Sequence, residues 1–475
     1  MNYWLLAPEI ILTIAGLVLT VAATGGASAR ALAAVTAVAD LAALATLPWL
    51  WSQGPTELWD GLFVVDGLAV FFAALLLTIA TLLALLSPAY LERFGLRAGE
   101  FFTLVTFAVL GGLVLSASRD LITIYLGLEL MALSSYPLAG LMRRDARSGE
   151  AAIKFFLIGA VSSAVLLFGL SLLFGFTGST HLPAISAALS TQPALAAPIA
   201  AAMIFVVAGL MFKIAIAPFH LWAPDVYEGA PTPVTAFLIT ASEAAGFAAV
   251  LRLFGDGLGP LAGSWGTLLA VLAVLSMLYG NLAALSQSRA KRIMAYSAIA
   301  QAGYVLAGVA LGNESGLSAA LYYLFVYALM TLGTFAFIAW VEVRSGTDAL
   351  TAFDNLAARA PAAAFFFSVA LIALIGIPFT AGFFGKLLLF RAAVGAGWSW
   401  LAVMMLLNSV LAAPYYLRFI RHMYFPATAP EAGAARAVVP GGIAWTLLIA
   451  LVGIVLLGAI PQPFLGWIEA VRLLP

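Results

Sequence analysis

The sequence predicts an all-α polytopic membrane protein of about fourteen transmembrane helices, with two inverted five-helix repeats, each containing a broken helix. Three observations predict it. The chain is 64% hydrophobic and 9% charged, where a soluble domain carries about 25% charged residues. Its apolar residues fall into long runs with short connections. Two of those runs, at corresponding places, are interrupted by proline and glycine.

A bilayer core needs about 20 apolar residues per helix. Runs that meet this lie near 3–23, 31–51, 62–87, 101–118, 121–142, 151–176, 197–218, 233–254, 262–285, 292–311, 316–341, 361–388, 394–424 and 437–461. Backbone polar groups cannot stay open in lipid, so each run reads as a helix. None of the connections is long enough to hold a soluble catalytic domain. The N-terminus lacks a basic region followed by a small-residue cleavage site, so Met1 onward reads as a retained first span.

Basic residues then set the orientation. With the N-terminus outside, the inner loops hold Arg30, Arg93, Arg97, Arg143, Arg144, Arg147, Arg289, Lys291, Arg292, Arg344, Arg359, Arg418, Arg421 and Arg436. The outer side holds only Arg119, Arg252, Arg391 and Arg472. Both termini are therefore expected on the non-cytoplasmic side of a plasma membrane. Three basic residues are left over: Lys154, Lys213 and Lys386 lie inside spans, and of the four lysines only Lys291 is assigned to a loop.

Composition also excludes classes of chemistry. There is no cysteine, so thiolate metal sites, iron–sulfur clusters and disulfides are ruled out. The three histidines, His181, His220 and His422, are too widely spaced to form an evident haem or zinc site. Zero net charge argues against a nucleic-acid partner. No G-x-G-x-x-G or Walker A loop is present, so no nucleotide or flavin site is expected in this chain.

The informative residues are the charges within spans. Each costs roughly 2.5–3.5 kcal/mol at mid-helix on insertion scales. Glu129, Lys154, Lys213, Glu243 and Lys386 together would cost on the order of 15 kcal/mol if left unpaired. Burial lowers a lysine's affinity for its proton and raises a carboxylate's, which suits both to proton exchange. The plainer reading is a set of structural ion pairs or snorkelling side chains. It fits Lys154 best, since Lys154 follows Glu150 by four residues near a helix end. Asp40 and Glu9 are isolated and read as interfacial or packing groups.

Span 7 runs MFKIAIAPFHLWAPDVYEGAPTPV from Met211 to Val234, with Pro218 and Pro224 inside it. Span 12 carries GIPFTAGFFGK, from Gly376 through Pro378 and Gly382 to Lys386. Proline removes a backbone donor and breaks the helical ladder. Interrupted spans at matching places in two halves point to an ion path. Span 7 is fourth in spans 4–8 and span 12 fourth in spans 9–13. An odd offset of five spans inverts the second block. The expected organisation is residues 1–100 (helices 1–3), 101–254 (helices 4–8), 262–424 (helices 9–13) and 437–475 (helix 14 and tail).

The stretch FKIAIAPFHLWAPDVYEGAPTPVTAF (Phe212–Phe237) resembles the antiporter-like membrane subunits of proton-pumping NADH:quinone oxidoreductase, respiratory complex I. GLELMALSSYPLAG (Gly127–Gly140), RAKRIMAYSAIAQAGY (Arg289–Tyr304) and GIPFTAGFFGK resemble the same family in the same order, covering spans 4–13. The Ala-Pro-Thr-Pro-Val after Tyr227-Glu228-Gly229 is most similar to the N subunit. The resemblance implies that Glu129 modulates the proton affinity of Lys213, that Lys386 serves an exit half-channel and that Lys154 matches a span-6 lysine. It also implies partner subunits carrying NADH, FMN, iron–sulfur clusters and quinone, in a bacterial inner membrane. The chain departs from the family twice. Glu243 stands where a lysine is usual, so it either relays protons as an acid or pairs statically with Lys213. Gln301, which cannot titrate, stands where histidine is frequent.

Three other functions compete. Subunits of multi-subunit sodium/proton antiporters and membrane-bound hydrogenases share these motifs, and sodium dependence or co-purifying hydrogenase subunits would separate them. An independent transporter of a small solute needs a more polar pocket than these spans provide. A purely structural subunit leaves the buried charges unexplained.

Overall fold

A backbone facing lipid must satisfy its own polar groups, and each long apolar run does so as a helix. The computed structural model describes residues 3–425 and 436–471; Met1, Arg472 and the rest of the expected tail lie outside the described residues. A 3₁₀ turn opens α1 (Ala7–Thr24), followed by α2 (Ala29–Gln53). An antiparallel hairpin of β1 (Thr56–Leu58) and β2 (Phe63–Val65) leads into α3 (Gly67–Arg93), α4 (Ala98–Ser116), α5 (Leu121–Ala139) and α6 (Ala146–Thr177). Next come a short α7 (Leu182–Thr191), α8 (Ala196–Lys213) and α9 (Ala223–Gly229).

The following span, Thr232–Gly257, is not uniform. It consists of α10 (Thr232–Phe237), a π-helical turn (Leu238–Ser242), α11 (Glu243–Leu251) and a second π-helical segment (Arg252–Gly257). The second half contains α12 (Ala262–Leu285), α13 (Ala290–Ala310), α14 (Glu314–Ser345) and a one-turn α15 (Leu356–Arg359). It continues with α16 (Pro361–Ile375), α17 (Ala381–Gly395), α18 (Ser399–Tyr424), α19 (Gly441–Ala459) and α20 (Gln462–Glu469).

Among the described residues, thirteen helices are long and apolar enough to cross a membrane. The fourteenth expected span is the pair α16–α17, whose halves are each 15 residues long. The protein is therefore a multi-pass α-helical membrane protein. Side chains at the helix starts take up the orphan amides there: Asp66 accepts from Ala69 at 2.9 Å, Asp120 from Ile122 at 2.8 Å and Asn313 from Gly316 at 2.8 Å.

The Thr232–Gly257 span and α13 are buried throughout their most apolar stretches, and α14 nearly so. A helix that is apolar all round belongs at a bundle's centre. These three helices form the axis around which the others pack. The bundle end where α1 begins is called the near face and the opposite end the far face.

Two charges lie elsewhere than expected. Arg252, assigned to the outer side, is fully buried, because Asp66 and Asp256 pair with its guanidinium inside the bundle. Lys291, assigned to an inner loop, lies in the first turn of α13 and is 5% exposed. Short runs of charge at span ends look like loops in sequence even when a neighbouring element covers them. Asp40 is buried within α2, as a packing group.

Candidate functional site

The two helix breaks place the lysines. In span 12 the carbonyl of Leu374 would normally accept from the amide four residues on. That residue is Pro378, which has no N–H. The helix stops at Ile375, and Gly376 turns the chain with φ +90°, in the left-handed region that favours glycine. Lys386, one and a half turns into α17, reaches back and donates Nζ to the freed carbonyls of Leu374 and Ile375, each at 3.0 Å. Its ammonium also lies 4.6 Å from the centre of the Tyr304 ring, a cation–π distance. Gly382 lets α17 approach the carbonyl of Ala373, where a Cβ would come within 1.9 Å of its oxygen.

The break in span 7 is longer. Helix α8 ends at Lys213, and residues 214–222, including Pro218, connect it to α9, in which Pro224 occupies the first turn. The indole of Trp222 donates to the carbonyl of Phe212 at 3.1 Å and stacks on Phe155 of α6 at 4.7 Å. The amide of Ala217 donates to Ser276 Oγ of α12 at 2.9 Å. The irregular backbone is thus held by side chains of neighbouring spans, the condition under which it is tolerated at membrane depth.

Glu129, on α5, accepts a hydrogen bond from Ser163 of α6. No ion pair of 4 Å or shorter joins it to Lys213 among the described residues. Glu243 opens α11, directly after the first π-helical turn, and is 1% exposed. One carboxylate oxygen accepts from the Tyr227 hydroxyl of α9 at 3.0 Å, and the other has no protein partner. No ion pair connects Glu243 to Lys213, so the static pairing considered from the sequence is not formed.

Lys154 belongs to a different environment. Its ammonium binds Glu150 at 2.6 Å and Asp225 at 2.7 Å, with 38% of its side chain exposed. Asp225 also binds Arg292 at 3.0 Å, and Arg292 reaches Glu228 at 2.8 Å. This is a partly solvated ion-pair network at the far face, not a member of the buried line. Of the remaining residues Glu243, on the central span, is buried, while Glu129 and Lys213 in the first half and Lys386 in the second are half-buried.

Gln301 joins the centre to Lys386. Its carbonyl accepts from Tyr323, and its amide donates to Tyr416 at 3.2 Å and to the Leu374 carbonyl at 3.3 Å. The hydroxyl of Tyr416 is in turn bonded to Ser297. Sequence reading missed these tyrosines, because an aromatic residue in an apolar helix looks like core. It also missed His220, which is buried against Tyr279 with both ring nitrogens unpartnered. The signal available for His220 was its place between Pro218 and Pro224.

A buried ion cluster closes the near face of the first half. Arg252 grips both oxygens of Asp66 at 2.7 Å, contacts Asp256 at 3.2 Å and donates Nε to the Ser116 carbonyl at 2.8 Å. Arg119 adds contacts to Glu57 at 3.2 Å and Asp256 at 3.5 Å. The cluster ties together α3, α4 and the second π-helical segment. Its partners are 186 residues apart in the chain, so no local pattern reveals it.

Residues 118–412 match the NADH:quinone oxidoreductase/Mrp antiporter transmembrane family. NADH-quinone oxidoreductase subunit N 2 of Symbiobacterium thermophilum is 45% identical over 433 residues, covering 87% of this chain and 83% of the relative. A chain of respiratory complex I from Thermus thermophilus superposes with a TM-score of 0.83 at 34% identity, covering 98% of this chain and all of the other. A chain of the Mrp complex from Dietzia sp. shares the fold at 23% identity, with a TM-score of 0.85 over 99% of this chain and 97% of its own. The chain belongs to the NADH:quinone oxidoreductase/Mrp antiporter family of membrane subunits, and its relatives place it with the N-type subunits of NADH-quinone oxidoreductase.

Proposed function

We propose that this subunit moves protons through the membrane along Glu129, Lys213, Glu243 and Lys386, driven by redox chemistry in partner subunits. The observation that carries this reading is the pair of broken helices, each with a lysine at the break. One of these lysines is held by carbonyls that the break itself frees. Ionisable residues inside a membrane mark ion pathways when they face the bundle interior, and these do. NADH, flavin, iron–sulfur clusters and quinone would be held by the partners, in keeping with a chain that has no cysteine.

The subunit divides into two inverted five-span units, residues 101–254 and 262–424, preceded by helices 1–3 and followed by the last span. The near face, where the described residues begin and end, is the non-cytoplasmic side of a bacterial inner membrane, on the distribution of basic residues. Within the first unit a change in the distance between Glu129 and Lys213 alters how tightly Lys213 holds its proton. Glu243 then works as an acid at the centre, with Tyr227 as its hydrogen-bond donor. Lys386 passes the proton towards the near face. Lys154 stabilises the far-face ion network.

The test is proton transfer by the assembled complex in liposomes. Lys213→Met and Lys386→Met should each assemble and lose pumping; wild-type pumping by both would falsify the path. Mass spectrometry of the complex purified through this chain should recover flavin- and iron–sulfur-bearing partners. Recovery of antiporter subunits only would favour the antiporter function.

A further inference from the structure

The far face holds a cavity of about 970 Å³ between the loops after α3 and α5 and the adjoining ends of α13 and α14. Its wall is charged, and much of that charge is paired: Arg143 with Glu100 at 2.9 Å, and Arg289 with Glu228 at 3.2 Å. Two of the charged lining residues differ from the other charged ones in being buried. Lys291 is 5% exposed and Glu342 6%.

Glu342 is held by a hydroxyl: Thr232 donates to one of its oxygens, and Tyr90 lines the same cavity. Lys291 approaches it only to 3.5 Å and has an independent acceptor, the Ala230 carbonyl, at 3.1 Å. A hydroxyl can donate or accept, so this setting suits Glu342 in either protonation state. A buried pair held for stability alone would be expected to close to direct charge-assisted contact.

From Glu342 the helix α14 leads inward. Thr331 lies 11 residues back on the same helix, about 16 Å at 1.5 Å per residue. Its hydroxyl is buried without a protein partner. One turn further on, Tyr327 lies beside both Thr331 and Glu243, and Glu243 carries its own unpartnered oxygen. Buried polar atoms without protein partners are where bridging water is expected.

We propose that Glu342, positioned by Lys291, takes up protons from the far-face cavity and passes them along α14, by Thr331 and Tyr327, to Glu243. A hydrated proton from the cavity protonates the Glu342 carboxylate and leaves water. The proton then crosses by water past the hydroxyls to the Glu243 carboxylate, returning Glu342 to its charged form beside the Lys291 ammonium. The central acid is thereby supplied from the far face, upstream of the step to Lys386. This inference rests on the proton path proposed above.

The test uses the assembled complex in liposomes, with proton transfer measured per complex. Glu342→Gln keeps the shape and the hydrogen bond with Thr232, and it should lower proton transfer about tenfold or more with assembly intact. Glu342→Asp should recover most of the loss. Thr331→Val, which removes a hydroxyl with no protein partner, should slow transfer several-fold. Wild-type transfer in Glu342→Gln overturns the uptake site. If Glu342→Gln does not assemble, Thr331→Val decides, and wild-type transfer there overturns it. Loss of pumping in Lys213→Met and Lys386→Met alongside a normal Glu342→Gln rejects the uptake site alone. Normal pumping in both lysine variants rejects the underlying path.

Discussion

Gln301 and Lys386 donate to the same oxygen, the carbonyl of Leu374, at 3.3 and 3.0 Å. That oxygen is available because Pro378 cannot supply the helical amide. The helix break, the half-buried lysine and the neutral glutamine therefore form one local arrangement. A side chain that cannot titrate holds two tyrosines and a carbonyl in register beside one that can.

Replacing Gln301 with leucine leaves the Tyr323 hydroxyl without its acceptor in a buried site, while Tyr416 keeps Ser297. Such an orphan costs about 1–3 kcal/mol. Gln301→Leu should lower the temperature at which the complex loses this subunit on a native gel. Gln301→Glu, which keeps an acceptor for Tyr323, should lower it less.

Glu243→Gln keeps an acceptor for the Tyr227 hydroxyl and removes the proton carrier. The variant should assemble normally and lose proton transfer by about tenfold or more, measured with a pH-sensitive dye in liposomes. Normal transfer would remove Glu243 from the path.

Arg252→Met leaves Asp66 buried without its cation and Asp256 with only Arg119, at 3.5 Å. Breaking one partner of a buried pair costs about 3–5 kcal/mol, so a marked fall in thermal stability of the complex is expected. Asp66 also caps α3, so Asp66→Ala should be at least as damaging as Asp256→Ala. The ordering can be read from melting curves of the purified complexes.

Lys154→Met should change little. Its ion pairs are partly solvated, and exposed pairs contribute about 0–1 kcal/mol. Proton transfer close to wild type is expected. A loss as large as that of Lys213→Met would place Lys154 in the buried line after all.

Much of this was legible in the sequence, for a physical reason. Lipid demands long apolar runs, so the spans declare themselves to within a few residues, and a proline or lysine inside one stands out. The breaks after Lys213 and before Lys386 were visible on that ground. What depends on distant partners was not. Arg252 meets Asp66 across 186 residues, and Lys291 meets Glu342 across the junction of two spans, so both resembled loop charges. The three-residue strands of the hairpin and the short helices α7, α9 and α20 are too brief to show a period.

The span that carries Glu243 has a π-helical segment before that residue and another from Arg252 onward. Each extra residue held in such a turn rotates everything beyond it by about 100° relative to a regular helix. The facing of Glu243 towards Tyr227, and of Arg252 towards Asp66, is therefore set by residue count as much as by residue type. Deleting a single residue between 238 and 242 would let the helix rewind regularly and leave Glu243 and Arg252 facing as they do. Deleting one from the regular turns of α11 would instead swing Arg252 about 100° away from Asp66. In this span the number of residues is itself a functional parameter, and an alignment gap in those regular turns would matter more than most substitutions.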